Sequence, residues 1–180
     1  MNYKIGDFAL RHLEPGDLEA LYDQKNDPEI AAMLGGFSNG YSMADLNDWL
    51  EYHRQCKDEV LWAIAETESN WCVGHVGLYQ IDHRIGIAEF AIMIGDRAAW
   101  GKGLGRACTK VALSHGFREL NLNRIYLTVL STNERAIQLY QSLGFQEEGR
   151  LRQAQFKNGR YIDVLIMGLL RSEHLSNVSG

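Results

Sequence analysis

Three glycines fall within five positions at Gly101-Lys102-Gly103-Leu104-Gly105, and the chain changes its period across them. Before the turn, GIAEFAIMIG (86–95) reads as a strand. After it, Gly103 to Phe117 reads as a helix. Glycine costs stability at a helix start, so this turn calls for backbone freedom. A strand entering a helix through a glycine-rich turn is the geometry of an anion site. The first helical N–H groups lack intrahelical partners, and the helix dipole places partial positive charge there. Without Cβ atoms the backbone can close around a phosphate, and Lys102 and Arg106 add charge. Two common phosphate motifs fail on spacing. A dinucleotide fingerprint needs a third glycine where Arg106 stands, and a P-loop needs Ser or Thr where Gly103 stands. Taken alone, the turn is open between a phosphate site of another kind and a tight turn that holds nothing.

The rest of the chain narrows the fold. Residues 3–12 alternate as a strand does. Asp17 stands where an N-cap would, before LEALYDQ, and Ser42 where it can cap a helix with Leu46, Trp49, Leu50 and His53 on one face. VLWAIAE (60–66) and WCVGHVGLYQID (71–82) read as paired strands, with Gly74 and Gly77 marking bends or close backbone approaches. RIYLTVL (124–130) follows the long helix. Asn133 to Leu143 is a second helix closed by Gly144, and strands near 145–153 and 161–170 flank a KNG turn at 157–159. The order predicts an α/β fold: a mixed sheet of six to seven strands, antiparallel first and partly parallel later, flanked by helices. With 180 residues, two prolines near the start and no linker, the chain reads as one domain over 1–180 with its core at about 3–171.

Composition excludes several functions. A net charge of −5 argues against a general nucleic-acid surface, which needs clustered Lys and Arg. No apolar run approaches the roughly 20 residues of a membrane span, and MNYKIGDFAL lacks a signal pattern. Three separated cysteines make no disulfide framework, which fits a cytoplasmic setting. Cys72 and His75 have no second pair to complete a metal site, so no metal is expected.

Two motifs in sequence order point to a family. The turn, with the strand before it, resembles the pyrophosphate loop of the GNAT N-acetyltransferases, whose pattern Q/R-x-x-G-x-G/A falls on Trp100 to Gly105 with Trp100 in the first place. The segment Asn133-Glu134-Arg135-Ala136-Ile137-Gln138-Leu139-Tyr140, leading to Leu143-Gly144-Phe145, is similar to that family's N-x-x-A-x-x-L-Y-x-x-x-G-F. LRHLEPGDLEALY (10–22) resembles the opening of the branch containing ribosomal-protein alanine and spermidine acetyltransferases. The likeness spans about 10–170. It implies acetyl-CoA as the phosphate ligand, held by Trp100, Gly101, Lys102, Gly103, Leu104, Gly105 and Arg106. It also implies a sheet partly splayed between the IMIG and RIYLTVL strands, where backbone near Ile92, Met93 and Ile94 pairs with the pantetheine arm.

Acetyl transfer to an amine needs a base, because an alkylammonium has a pKa near 10, and an acid for the leaving thiolate. Tyr140 is the candidate acid, as the family match implies. Glu89 is the candidate base, fourteen residues before Gly103 and sharing a strand face with Ala91 and Met93. The resemblance places Asn133 by the CoA arm, while Ser131 and Glu134 have capping-box spacing. His75, His83 and His115 read as structural or surface residues, and Asp45, Asp48 and Glu51 as a solvated face. The acceptor is expected to be a small-molecule or peptide amine bound between roughly 26–45 and 150–163. We lean toward a nucleotide-linked amino sugar, with Arg150, Arg152 and Arg160 near its phosphates, over a protein N-terminus or a polyamine. A non-catalytic acyl-CoA-binding module is the rival from another class. A homodimer stays open.

Overall fold

A computed structural model describes residues 2–36 and 40–178. The first strand, predicted as one run over 3–12, breaks in two. Gly6, at φ 57°, turns the chain back, so β1 (Tyr3–Ile5) and β2 (Phe8–His12) form an antiparallel hairpin closed by the Ile5–Phe8 pair. The sheet therefore has eight strands rather than six to seven.

Asp17 does not cap the next helix either. The guanidinium of Arg11 on β2 takes both its carboxylate oxygens at 2.8 and 2.7 Å, and the backbone N–H of Glu14 donates to it at 2.8 Å. This part-buried bidentate pair fastens a 3-10 turn at Pro15–Asp17, which runs directly into α1 (Leu18–Asn26). A short helix, α2 (Pro28–Met33), adds to the elements the sequence predicts. Its signal is Asp27-Pro28: the Asp27 carboxylate accepts from Glu29 and Ile30 N–H, and proline opens the helix. α3 (Met43–Gln55) begins as expected at Ser42, whose hydroxyl accepts from Asp45 N–H while the Asp45 carboxylate accepts from Ser42 N–H.

Strands β3 (Val60–Glu66), β4 (Cys72–Asp82) and β5 (Ile87–Ile94) form the antiparallel half. Gly74 and Gly77 mark the expected close approaches. A Cβ at Gly74 would lie 2.0 Å from Met93 O, and one at Gly77 would lie 2.8 Å from Val60 O. Helix α4 (Leu104–Arg118) then crosses over to β6 (Arg124–Leu130), which runs parallel to β5. Helix α5 (Glu134–Gln141) leads to β7 (Gln146–Lys157) and β8 (Arg160–Leu170), and α6 (Arg171–Val178) follows. The β7–β8 turn sits where KNG predicts, with Asn158 and Gly159 both at positive φ as a two-residue hairpin requires. Strand order is β1-β2-β3-β4-β5-β6-β8-β7.

Each face of the sheet carries its own core. On one, Leu104, Cys108, Leu113 and Phe117 of α4 pack on Val76, Leu78, Phe90 and Ile125. On the other, Leu18, Leu21, Leu46 and Leu50 pack on Ala63, Cys72 and Met93. β5 contributes to both by simple alternation: Phe90, Ile92 and Ile94 to the α4 side, Met93 to the α1–α3 side.

At Gly74 the nearest atoms are backbone, so they cannot swing aside. Gly74→Ala should lower stability by about 3 kcal/mol and the melting temperature by about 6–12 °C. Thermal unfolding checks this, and an unchanged melting temperature would contradict the close approach.

Candidate active site

Strands β5 and β6 share three residue pairs, Ile87–Arg124, Ala88–Ile125 and Glu89–Tyr126, and then part. Beyond that point β5 stays with β4 as far as Ile94, while β6 stays with β8 as far as Leu130. Each strand follows its antiparallel partner, and a gap opens between them with Glu89 at its apex. The facing edge of β5 from Phe90 onward has no strand partner among the described residues.

The start of α4 comes against this gap. A Cβ at Gly105 would sit 3.7 Å from the Ile94 side chain and 3.6 Å from that of Leu139 on α5, so the helix start, the end of β5 and α5 converge there. Gly101 and Gly103 have φ of 76° and 72°, and nothing lies within 4 Å of the place a Cβ would take. Gly103 provides no side-chain cap, and the helical ladder starts at Ala107 N–H to Gly103 O. The N–H groups of Leu104, Gly105 and Arg106 therefore lack intrahelical acceptors. An open, glycine-lined helix N-terminus suits a pyrophosphate.

The neighbouring side chains mostly hold the turn in shape. Trp100 donates its indole N–H to Ile94 O at 2.8 Å, so the residue in the motif's polar position fastens the loop to the strand end. The Arg135 guanidinium lies 5.9 Å from the Trp100 ring centre. Arg106 donates to Ser142 Oγ at 2.5 Å and Ser142 O at 3.3 Å, and Lys102 Nζ lies 5.8 Å from the Phe8 ring. Asn133 caps α5 itself, accepting from Ala136 N–H at 3.2 Å. The expected Ser131–Glu134 box does not form, because the helix starts at Glu134 and Ser131 comes too early. The Asn133 amide also donates to Met33 O at 3.2 Å.

Tyr140 and Glu89 lie on opposite faces of the sheet. The Tyr140 ring is only 8% exposed and stands edge-on to Phe90 and Phe145. Burial pushes its phenol up to about 12, so it holds its proton at neutral pH. Glu89 is half-buried on the α1–α3 side, with Gln80 Nε2 at 3.2 Å and Thr128 Oγ1 at 3.5 Å. Burial raises its pKa above the usual carboxyl range, against the opposing hydrogen bond from Thr128.

From Glu89 a chain of aromatic and titratable side chains runs along the same face of the sheet. Tyr79 is its cross-strand partner, 5.9 Å ring to ring from His53. His53 pairs with Glu59 through a short contact. His75 is buried with neither ring nitrogen hydrogen-bonded, and desolvation holds it neutral. Lys25 Nζ lies 4.5 Å from the Trp49 ring centre and 5.5 Å from that of Tyr41, and burial pushes it down to about 8. Only the Trp49–His53 spacing signalled this cluster. His115 shares a hydrogen bond with Tyr3, and His83 is exposed. The two segments expected to frame the acceptor do meet: Lys157 Nζ donates to Ala31 O at 2.9 Å and Gln155 Oε1 accepts from Gly36 N–H at 3.2 Å. Phe37, Ser38 and Asn39 of the first segment lie outside the described residues.

Residues 7–146 match the family model described as an acetyltransferase (GNAT) domain. The chain is 36% identical over 169 residues to the spermidine N(1)-acetyltransferase of Vibrio cholerae, covering 93% of this chain and 95% of that protein. It is 33% identical over 168 residues to the spermidine N(1)-acetyltransferase of Escherichia coli K12, covering 93% and 88%. A putative ribosomal N-acetyltransferase of Bacillus subtilis is 29% identical over 174 residues, covering 92% of each. The crystal structure of spermidine N-acetyltransferase from Vibrio cholerae in complex with CoA and spermine superposes with a TM-score of 0.87 at 33% identity, covering 95% of this chain and 99% of that one.

The lowered pKa of Lys25 makes a prediction about pH. Between pH 8 and the ordinary lysine value of 10.5, the unfolded chain keeps a proton that the folded one has lost, so this group makes stability rise with pH. Below pH 8 its penalty is fully present. Lys25→Met should melt higher than the parent at pH 7, with the difference shrinking toward pH 10. Paired thermal melts at the two pH values test this, and a pH-independent difference would count against a desolvated ammonium.

Proposed function

This chain belongs to the GNAT acetyltransferase family, and on that premise we propose that it acetylates a primary amine of a polyamine such as spermidine, with acetyl-CoA as donor. The observation that carries the acceptor is the near full-length likeness to two spermidine N(1)-acetyltransferases at 36% and 33% identity. The acceptor side agrees with it, since Glu89 and Glu59 stand there among Trp49, Tyr52 and Tyr79, chemistry suited to an alkylammonium chain. The nucleotide-linked amino sugar finds no support in these relatives, and Arg150, suggested for its phosphates, is already paired with Asp163 and Glu147. A protein N-terminus is the second reading, favoured by the ribosomal relative.

Acetyl-CoA brings an activated acyl group. The chain's own residues do the rest. The α4 start, with Gly101 and Gly103 open in front of it, holds the pyrophosphate. The unpaired edge of β5 near Ile92 to Ile94 takes the amide-bearing arm. Glu89 takes a proton from the ammonium at the apex of the gap, made basic enough by its partial burial. The freed amine attacks the thioester carbon; as the carbon–sulfur bond breaks, Tyr140 gives its proton to the sulfur from the other face, and the second proton the nitrogen loses on becoming an amide restores the phenol.

Release of free CoA should be followed with spermidine, spermine, a peptide with a free N-terminus and a nucleotide-linked amino sugar. Spermidine should give kcat/KM at least about tenfold above the others except spermine. A clear preference for the peptide would replace the polyamine reading. Glu89→Gln should lower kcat/KM by about 10²–10⁴-fold and remove the acidic limb of the pH profile, whose midpoint in the parent lies above the ordinary carboxyl range. Tyr140→Phe should keep CoA binding and lower kcat at least about tenfold. Unchanged turnover in either variant would remove that residue from the mechanism.

A further inference from the structure

The pairing of β4 with β5 sets what stands next to Glu89. On the α1–α3 face Tyr79 pairs with Glu89, Gly77 with Ala91 and His75 with Met93. Glu89 and Tyr79 are half-buried and Met93 is buried, but Ala91 between Glu89 and Met93 is exposed. The sheet is therefore uncovered at Ala91, one step beyond Glu89 on the side where β5 and β6 part. An amine coming to Glu89 along the slot on this face passes over Ala91.

Tyr79 overhangs that ground. A Cβ at Gly77 would lie 3.0 Å from both Cε2 and Cζ of the Tyr79 ring, so the far edge of the ring stands above Gly77, the cross-strand neighbour of Ala91. In an antiparallel pair, the direction from Tyr79 to Gly77 is the direction from Glu89 to Ala91. The ring thus leans toward the opening of the slot. Tyr126, the partner of Glu89 on β6, has its ring 5.7 Å from the Arg124 guanidinium, on the side away from the opening. Above the sheet, the His53 ring of α3 lies 5.9 Å from the Tyr79 ring and limits its swing. On the β6 side, Thr128 Oγ1 at 3.5 Å from Glu89 bounds the approach.

These limits leave a strip roughly one strand spacing wide, about 4.8 Å. Two carbons in contact stand about 3.5–4.0 Å apart. A single file of methylenes ending in an ammonium fits such a strip. A second carbon on the atom that bears the nitrogen has to displace the ring. The acceptor classes differ at this very atom. A polyamine end carries its nitrogen on an unbranched CH2 group. A protein N-terminus other than glycine carries it on a branched carbon, and so does the ring of an amino sugar.

We propose that Tyr79 is a specificity-determining residue, which admits to Glu89 primary amines carried on an unbranched CH2 group and turns away those carried on a branched carbon. The proposal rests on the reading of Glu89 as the base and adds what the space beside that base accepts. It depends on the shape at the reacting end alone. The far end of the acceptor and any second charge play no part, so a simple alkylamine reports on it as well as a polyamine does.

The test follows release of free CoA from the full chain with two pairs of acceptors, each pair differing by one methyl on the carbon that bears the nitrogen. One pair is n-butylamine and sec-butylamine. The other is a peptide that begins with glycine and the same peptide beginning with alanine. In a pair that reacts, the unbranched member should have a kcat/KM at least about tenfold higher. Tyr79→Leu removes the overhang and should bring the two members within about threefold, through a gain on the branched one. Tyr79→Phe keeps the ring and should keep the parent's preference. A ring that only supports the fold would instead lower both members together. Calorimetric titration with CoA checks that each variant has folded, and Tyr79→Ala takes the place of the leucine variant should that one not fold. No preference in the parent, a preference that Tyr79→Leu leaves intact, or no turnover of either unbranched amine would overturn the proposal. Failure of the polyamine reading shows separately, as turnover of the peptides alone. Failure of Glu89 as the base shows as turnover that survives Glu89→Gln, and the Tyr79 ratio is read in either case.

Discussion

Everything chemical in this fold depends on β5 and β6 pairing for only three residues. A parallel pair that ran on to Ile94 and Leu130 would bury the β5 edge in a continuous sheet. The parting has a physical origin in the strands on either side. β5 is held by β4 through a close approach that only Gly74 permits, and β6 is held by β8 along its whole length. Both strands satisfy their stronger antiparallel ladders and leave the parallel one short. An exposed edge of this kind usually threatens aggregation. Here α4 and α5 stand over it, so it is a slot rather than a free edge.

The slot divides two electrostatic environments. On the α4 side the groups are a helix N-terminus without a cap, glycines, and a phenol kept protonated by burial. On the α1–α3 side stand Glu89 and Glu59, a neutral buried histidine and a half-desolvated lysine. A chain with net charge −5 can still hold a phosphate, because the helix start acts within a few ångströms and the net charge is spread over the surface. The same negative excess favours the approach of a cationic acceptor. Donor and acceptor of opposite charge can thus be drawn to opposite faces and meet at Glu89.

What the sequence made legible was local. The Gly101–Gly105 turn, α4, the Ser42 box, the Asn158–Gly159 turn and the close approaches at Gly74 and Gly77 each follow from a few adjacent residues. What it hid was decided at a distance. Asp17 has the right neighbours for an N-cap, but Arg11 reaches it from β2. The 3–12 alternation continues through Gly6, and only the folded register shows the hairpin. Glu59 lies outside the helix that carries His53, so no periodicity links them. Asp27-Pro28 is different: a capping carboxylate followed by a helix-opening proline is a signal local to the sequence.

The acceptor is the hardest feature to read, and α2 shows why. A six-residue helix leaves most of its carbonyls without intrahelical donors. Here Lys157 takes Ala31 O and Asn133 takes Met33 O, from positions 126 and 100 residues away. Just beyond α2, Gln155 Oε1 accepts from Gly36 N–H. This wall is thus assembled from the first and last thirds of the chain, by side chains of β7 and of the α5 start reaching the α2 segment. Those three contacts belong to no motif. A substitution at 155 or 157 can move the wall while Glu89, Tyr140 and the glycine turn stay in place. Chains sharing the glycine turn and the Asn133–Phe145 segment can therefore diverge in acceptor without any change in the machinery that binds the donor.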